Sequence, residues 1–398
     1  MSSSATTEDD RDSQLLKRLG WAGLAPAWAV ASPRPPAISE PPGPVPRLAG
    51  GPLAVVTVCS SAHLPFARVA IEALERHHPE AEVVLVVTDL EPGEAAPPRV
   101  GRATVLPGSV VVGHRFPFYA LKYEEAEFCY VHKPFAVRWV LRQGRHERVV
   151  YLDCDILLFA PLTTLLAALE THDFVVTPHV VAPFHDSSRF DIRPTTGDLA
   201  ASGMLNAGLF GLRRGRAAEA FLDQYVELVS APGAYVWALG MQGEQNAFNW
   251  VLCFAEKVHV LRDTSYNVAY WNLHDRALCW RQTADGEEAF TVDGAPLVAY
   301  HFSGYSPWEP QDLSRHNRRH SLYVLPAVDR LCAIFRERLL EQGAEEGRRA
   351  PYRFGRFPSG ISIDDGWRKL LRDHETHFDT DVDPWTEDGE RHWARALL

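Results

Sequence analysis

Two aspartates one residue apart, Asp153-Cys154-Asp155, interrupt the otherwise apolar run RVVYLDCDILLF at 148–159. Two carboxylates in such a setting are costly unless something offsets their charge. In an extended chain, residues i and i+2 face the same side, so both are expected to address one divalent cation. Oxygen donors suit Mg²⁺ or Mn²⁺, and an ion held this way can neutralise a diphosphate. The competing reading is a polar strand end with Asp155 capping a helix. A second apolar run ends in His301-Phe302-Ser303-Gly304-Tyr305. An imidazole there would complete the ligand set for Mn²⁺, and Gly304 would let the backbone approach a diphosphate.

Three other places carry polar groups in suggestive company. Leu205-Asn206-Ala207-Gly208 sets an amide beside two small residues, which suits a sugar hydroxyl as well as it suits a tight strand start. Glu244-Gln245-Asn246 opens a predicted helix, where the acid either binds ligand or simply caps the first turn. Lys133, one helix upstream of the paired aspartates, is either a phosphate-directed ammonium or a solvated charge.

Buried parallel strands and helices must position these groups. LAVVTVC (53–59) is a β-branched run with the texture of a strand covered on both faces, and VVLVVTD (83–89) is another. Between them, 65–79 has a helical apolar face bounded by Pro65 and Pro79. This strand–helix–strand unit predicts an α/β fold. A second unit follows, with a helix over 133–144, the 148–159 strand, a helix over 164–172 and a strand over 173–178. Further strands are predicted at 205–212, 258–261 and 296–302, and helices near 215–231, 244–255 and 322–342. The stretches 180–203 and 262–295 are aperiodic; the second holds two asparagines and two tryptophans, and such long connections commonly carry ligand contacts.

Composition bounds the function. The 398 residues carry 40 Lys+Arg against 51 Asp+Glu, a formal charge of −11, which argues against a nucleic-acid partner. No apolar run reaches the ~20 residues a membrane-spanning helix needs. Six widely spaced cysteines predict reduced thiols in a cytoplasmic protein. Nine prolines fall between Pro26 and Pro52, so residues 1–52 read as a disordered leader, with Ser13 to Trp21 as one short amphipathic segment. The expected organisation is that leader, a catalytic domain at 53–308, and a C-terminal helical cap at 309–398. The cap's Tyr352, Phe354, Trp367 and Trp385 form either an acceptor wall or a cover for the sheet.

In this order, VVTVCSSAHLPFARVAIEALERHHP, VVYLDCDILLF, LNAGLFGL, the Glu-Gln-Asn segment and HFSGYSPW resemble the GT-A glycosyltransferases, particularly family 8. The resemblance runs from Leu53 to about Trp308. It implies a Rossmann-like, mostly parallel sheet and a nucleotide-sugar donor, usually UDP-linked, bound through Mn²⁺ or Mg²⁺. It also implies Asp153, Asp155 and His301 as metal ligands, Asn206 and Ala207 as sugar contacts, and Cys59 and Ser60 near the base and ribose. Gln245, with Glu244 before it, falls where the family has its residue beneath the anomeric carbon, implying retention of configuration. The acceptor, whether glycan, peptide or small molecule, is left open. One departure concerns the leaving group: the family's lysine after this histidine motif is replaced by Ser306, so Lys133 or an arginine in 314–319 would have to supply the cation. Two alternatives stand beside this reading: a phosphatase of the haloacid-dehalogenase type, and a degenerate, non-catalytic sugar-nucleotide binder.

Overall fold

The computed structural model describes residues 48–90, 99–184, 192–231, 243–284 and 286–397. The bulk of the predicted leader, including Ser13 to Trp21, lies outside them. Its last residues do not: Leu48 is buried, and the amides of Ala49 and Gly50 donate to Glu82, so the ordered fold begins before residue 53.

The main sheet holds β1 (Gly51–Cys59), β2 (Glu82–Val87), β3 (Thr104–Pro107), β4 (His146–Leu152), β6 (Phe174–Pro178), β7 (Leu205–Arg213) and β8 (Val258–Val260). Their spatial order is β3-β2-β1-β4-β7-β6-β8. The first four are mutually parallel, while β7 is inserted antiparallel between β4 and β6. Along β1 the side chains divide between two apolar clusters: Leu53, Val55 and Cys59 face one, Ala54, Val56 and Val58 the other. An unbroken β-branched run is therefore what a strand covered on both faces requires. The α/β, mostly parallel architecture predicted from sequence is the one observed.

Four local differences stand out. The helix predicted from Lys133 spans Glu125–Arg142; Pro134 looks like a first-turn proline, yet a capping box of Glu124 and Glu127 starts the helix two turns earlier. The 148–159 strand is two strands. After β4 the chain turns, with the amide of Ile156 bonded to the Asp153 carbonyl, and continues as β5 (Ile156–Leu158). The aperiodic 262–295 stretch contains a hairpin, β9 (Leu278–Gln282) and β10 (Glu288–Val292), extended by β11 (Ala295–Pro296). Its first strand is mostly exposed, and the second turns only Phe290 and Val292 into the core, too short an alternation to betray a strand. The predicted 296–302 strand shortens to β12 (Ala299–His301), which pairs antiparallel with β5.

In the C-terminal segment, Phe354, Phe357, Leu371 and Trp393 join the same cluster as Phe116, Tyr123 and Phe128. Phe354 lies edge-on to Phe116 and Phe128, each at 5.8 Å. Arg368, 2% exposed, donates to the carbonyls of Ala120, Leu121, Tyr123 and Phe354. These carbonyls lack another strand or helix to satisfy them, so the guanidinium ties the C-terminal helix Asp365–His374 to the sheet's flank. No described helix is long and apolar enough to cross a membrane, and the six cysteines are free.

Replacing Arg368 by Met keeps the packed stem but strips the carbonyls of their donor. We expect a loss on the order of 3 kcal/mol of unfolding free energy, read by urea denaturation.

Candidate functional site: an Asp-Asp-His cluster at the end of a central strand

Asp153 follows β4, His301 ends β12, and the turn between β4 and β5 carries Asp155. The amide of Asp153 bonds the Gly208 carbonyl on β7, and that of Phe302 bonds the Asp155 carbonyl. With His301 paired opposite Ile156, the chain is locked on both sides of the turn. One ligand atom from each of Asp153, Asp155 and His301 then falls within 4.8 Å of the others. His301 Nε2 stands 3.1 Å from Asp155 Oδ1 and 3.9 Å from Asp153 Oδ2. The expected convergence is present, but a turn produces it, because the chain does not stay extended between the two aspartates.

The space among these groups is reserved by an absent side chain. A Cβ placed on Gly208 would lie 2.7 Å from Asp153 Oδ2, 2.7 Å from His301 Cε1 and 2.8 Å from Asn206 Oδ1. A carboxylate, carboxylate, imidazole set around such a cradle fits Mn²⁺ or Mg²⁺ by donor type.

Charge points the same way. Lys133, almost wholly buried, places Nζ 2.9 Å from Asp153 Oδ1 and 3.3 Å from Glu244 Oε1. Tyr151 also donates to Asp153 Oδ1, at 2.8 Å. Burial works to discharge Lys133, but Asp153 and Glu244 outweigh it and hold the ammonium charged. Burial also raises the Asp155 carboxyl, yet His301 and Lys133 bring it below its ordinary value. Glu244 is pushed up to about 7, by burial first, with Asp153 adding to the rise against the pull of Lys133. Three carboxylates thus share one permanent cation, a balance that leaves room for a divalent ion.

The other sequence-predicted residues take more varied positions. Gln245 receives the Ala207 amide at 3.1 Å and donates to the Leu205 carbonyl, so its amide is engaged by β7. Ala207 is fully buried. Asn206 is part of a polar network: its Oδ1 accepts from the Gly208 amide and from Asn267, and its Nδ2 approaches His179 Nε2 at 3.2 Å. One N–H of Asn206 remains for a ligand. The Cys59 thiol sits in the core, raised well above its ordinary value by burial, and its carbonyl accepts the Thr88 amide, so this residue shows almost no exposed surface for the expected ligand contact. Ser60 donates to Glu125 at 2.5 Å, beside Asp89 and Ser61, just past the end of β1, from which the sheet extends to β2 on one side and to β4 on the other. At Gly304, φ is +69°, and a Cβ would meet Ser314 Oγ and His316 Cδ2, both at 2.7 Å; the glycine first of all admits that loop. The loop's Arg315 bonds the Gly304 carbonyl through its amide, is exposed, and makes no ion pair with a carboxylate among the described residues.

Reasoning from sequence missed Asn267, Thr177, His179, Trp271 and Tyr151. The asparagines and tryptophans of 262–295 were the available signal, but nothing local shows that Asn267 meets His301.

No family model matches this chain. Over 189 residues it is 24% identical to YfnF, an uncharacterized protein of Bacillus subtilis (strain 168); the match spans 46% of this chain and 58% of that protein's length. Among solved structures it is similar to the glycosyltransferase GlyE of Streptococcus pneumoniae TIGR4, at a TM-score of 0.42 and 14% identity over 76% of this chain and 67% of that one. It is also similar to the galactosyltransferase LgtC, solved with donor and acceptor sugar analogs, at a TM-score of 0.38 and 16% identity over 75% and 97%. All of these scores fall below 0.5, and the chemistry of the site stands on its own side chains.

Two outcomes are expected. Gly208→Ala fills the cradle and weakens Mn²⁺ binding by roughly 10-fold or more in calorimetry, with the circular dichroism spectrum unchanged. For Glu244 the folded-state pKa lies above its unfolded value, so native protein holds the proton that unfolded chain releases first. Stability relative to Glu244→Gln is therefore present below about pH 4.5 and is lost as pH rises to about 7, by an amount on the order of 2–3 kcal/mol in urea titrations.

Proposed function

We propose that this chain is a metal-dependent glycosyltransferase that moves a sugar from a nucleotide-sugar donor, UDP-linked, to a hydroxyl-bearing acceptor with retention of configuration. The observation that carries the proposal is the meeting of Asp153, Asp155 and His301 over the Gly208 cradle at the end of β4, in the middle of an α/β sheet. The catalytic unit is assigned to 53–308 and the C-terminal cap to 309–398. Six free thiols support a reducing, cytoplasmic setting.

Asp153, Asp155 and His301 would hold Mn²⁺ or Mg²⁺, which when bound offsets charge on the donor's diphosphate. The space past the end of β1, beside Ser60, receives the nucleoside. The free N–H of Asn206 and the buried Lys133–Glu244 pair orient the sugar ring. Gln245, tied to β7 through both ends of its amide, supports this arrangement from below, and an amide is a poor nucleophile. The acceptor oxygen therefore attacks the anomeric carbon on the face of the departing group. The bond from that carbon to the phosphate oxygen breaks, and the acceptor's proton passes to the leaving phosphate. Lys133 is consumed by Asp153 and Glu244, so Arg315 is the better cation for the diphosphate in place of the lysine missing at Ser306. The phosphatase alternative is not favoured: its nucleophile belongs to the first strand, whereas Asp153 follows the fourth.

Purified protein with Mn²⁺ and a panel of UDP- and dTDP-sugars, followed by mass spectrometry, should release nucleoside diphosphate from one donor, and EDTA should abolish the release. Turnover untouched by EDTA would remove the metal from the reading. Arg315→Ala should lower kcat roughly 10²-fold with the melting temperature unchanged, since it removes an exposed cation that acts on the leaving group.

A further inference from the structure

The polar groups beneath the Asp-Asp-His cluster form a chain of hydrogen bonds whose polarity can be read from one end. The Gly208 backbone amide can only donate, and it points to the Asn206 side chain at 3.1 Å. The Asn206 atom there is consequently its carbonyl oxygen. The Asn267 side chain approaches the same oxygen at 3.0 Å, so the approaching atom must be the amide nitrogen. The second N–H of that nitrogen finds Thr177 Oγ1 at 3.1 Å, a hydroxyl whose own proton goes to the Leu209 carbonyl at 2.9 Å. Both hydrogens of Asn267 are thereby used. Its carbonyl oxygen is left facing His301 Nδ1 at 3.1 Å, and only a protonated Nδ1 satisfies it. The imidazole is left with a bare Nε2, the atom that faces Asp155 and Asp153.

The surroundings hold this arrangement rigidly. Asn267 is completely buried and has φ of +51°, a left-handed backbone that asparagine tolerates better than most residues. Asn272, also fully buried, donates to the carbonyls of Asn267 and His179 and receives the Ala269 amide, which clamps the turn. Trp271 sets its ring at 83° to His301, with centroids 5.2 Å apart, and closes the imidazole's flank.

We infer that Asn267 is a positioning residue that fixes His301 as its Nδ1–H tautomer and so presents the Nε2 lone pair to the cation between Asp153 and Asp155. A ligand imidazole whose other nitrogen is held by a hydrogen bond keeps one tautomer and one ring orientation. The polarity here descends from a main-chain amide: flipping Asn206 would set its NH₂ against the Gly208 donor, and flipping Asn267 would set two carbonyl oxygens against each other. The role of the cation rests on the glycosyltransferase reading above; the tautomer does not.

Long-range ¹H–¹⁵N NMR of histidine-labelled, metal-free protein at about pH 9, where imidazole is neutral, reads which nitrogen carries the proton. Loss of one signal set in His301→Gln assigns the residue. The wild-type protein should show His301 protonated on Nδ1 and bare at Nε2. Asn267→Gly, which keeps the left-handed backbone available, should release that preference. It should also weaken Mn²⁺ binding roughly 10- to 100-fold, measured from the free-ion electron paramagnetic resonance signal. A wild-type His301 protonated on Nε2 overturns the inference even if the variant does not fold. An Asn267→Gly protein with the same tautomer and the same Mn²⁺ affinity overturns it too. If wild-type protein shows the Nδ1–H form but binds no Mn²⁺, the tautomer assignment is upheld and the metal-dependent reading fails.

Discussion

Negative charge held inside the protein governs the site. Asp153, Asp155 and Glu244 lie at or near the end of β4, and among the described residues Lys133 is the one permanent cation paired with them. Self-repulsion of that kind is tolerated where donors are fixed in advance. The Tyr151 hydroxyl and Lys133 serve Asp153, and His301 serves Asp155. What remains uncompensated is the charge that a divalent cation would offset.

The sheet's single reversal of direction makes this assembly possible. Because β7 runs antiparallel between β4 and β6, its first residues arrive beside the end of β4. Asn206 and Gly208 come with it, one entering the polar network and the other leaving the cradle open. The β5–β12 pair then carries His301 back across about 145 residues of chain to face the turn that holds Asp155. Gln245 stitches the helix Glu244–Phe248 to β7, which in turn sets Glu244 against Lys133. Each of these elements is anchored in the two apolar clusters on the faces of the sheet, so the ligands need no reorganisation to converge.

Much of this was legible beforehand where local chemistry is decisive. The β-branched run of β1 could only be a doubly covered strand. The paired aspartates and the histidine closing another apolar run each read also as polar strand ends, and it is their occurrence together that singles them out. What sequence reading missed has a common physical origin. Of the hairpin, β9 is mostly exposed, and β10 buries only Phe290 and Val292, an alternation too short to stand out from its surroundings. The helix Glu125–Arg142 was shortened because Pro134 resembles a first-turn residue. Lys133 was expected to seek phosphate, but its ammonium is held by two carboxylates from other elements.

The identity of the ligand atoms was determined by the sequence: two carboxylates, an imidazole and a glycine are fixed by residue type, and their chemistry follows from it. Their mutual geometry was decided only by the tertiary structure. The turn that brings Asp153 and Asp155 together depends on hydrogen bonds from β7 and β12, and the tautomer of His301 depends on an amide of β7 acting through Asn206 and Asn267. Such bonds join segments scores of residues apart, and no local pattern can encode the direction in which a proton points across them.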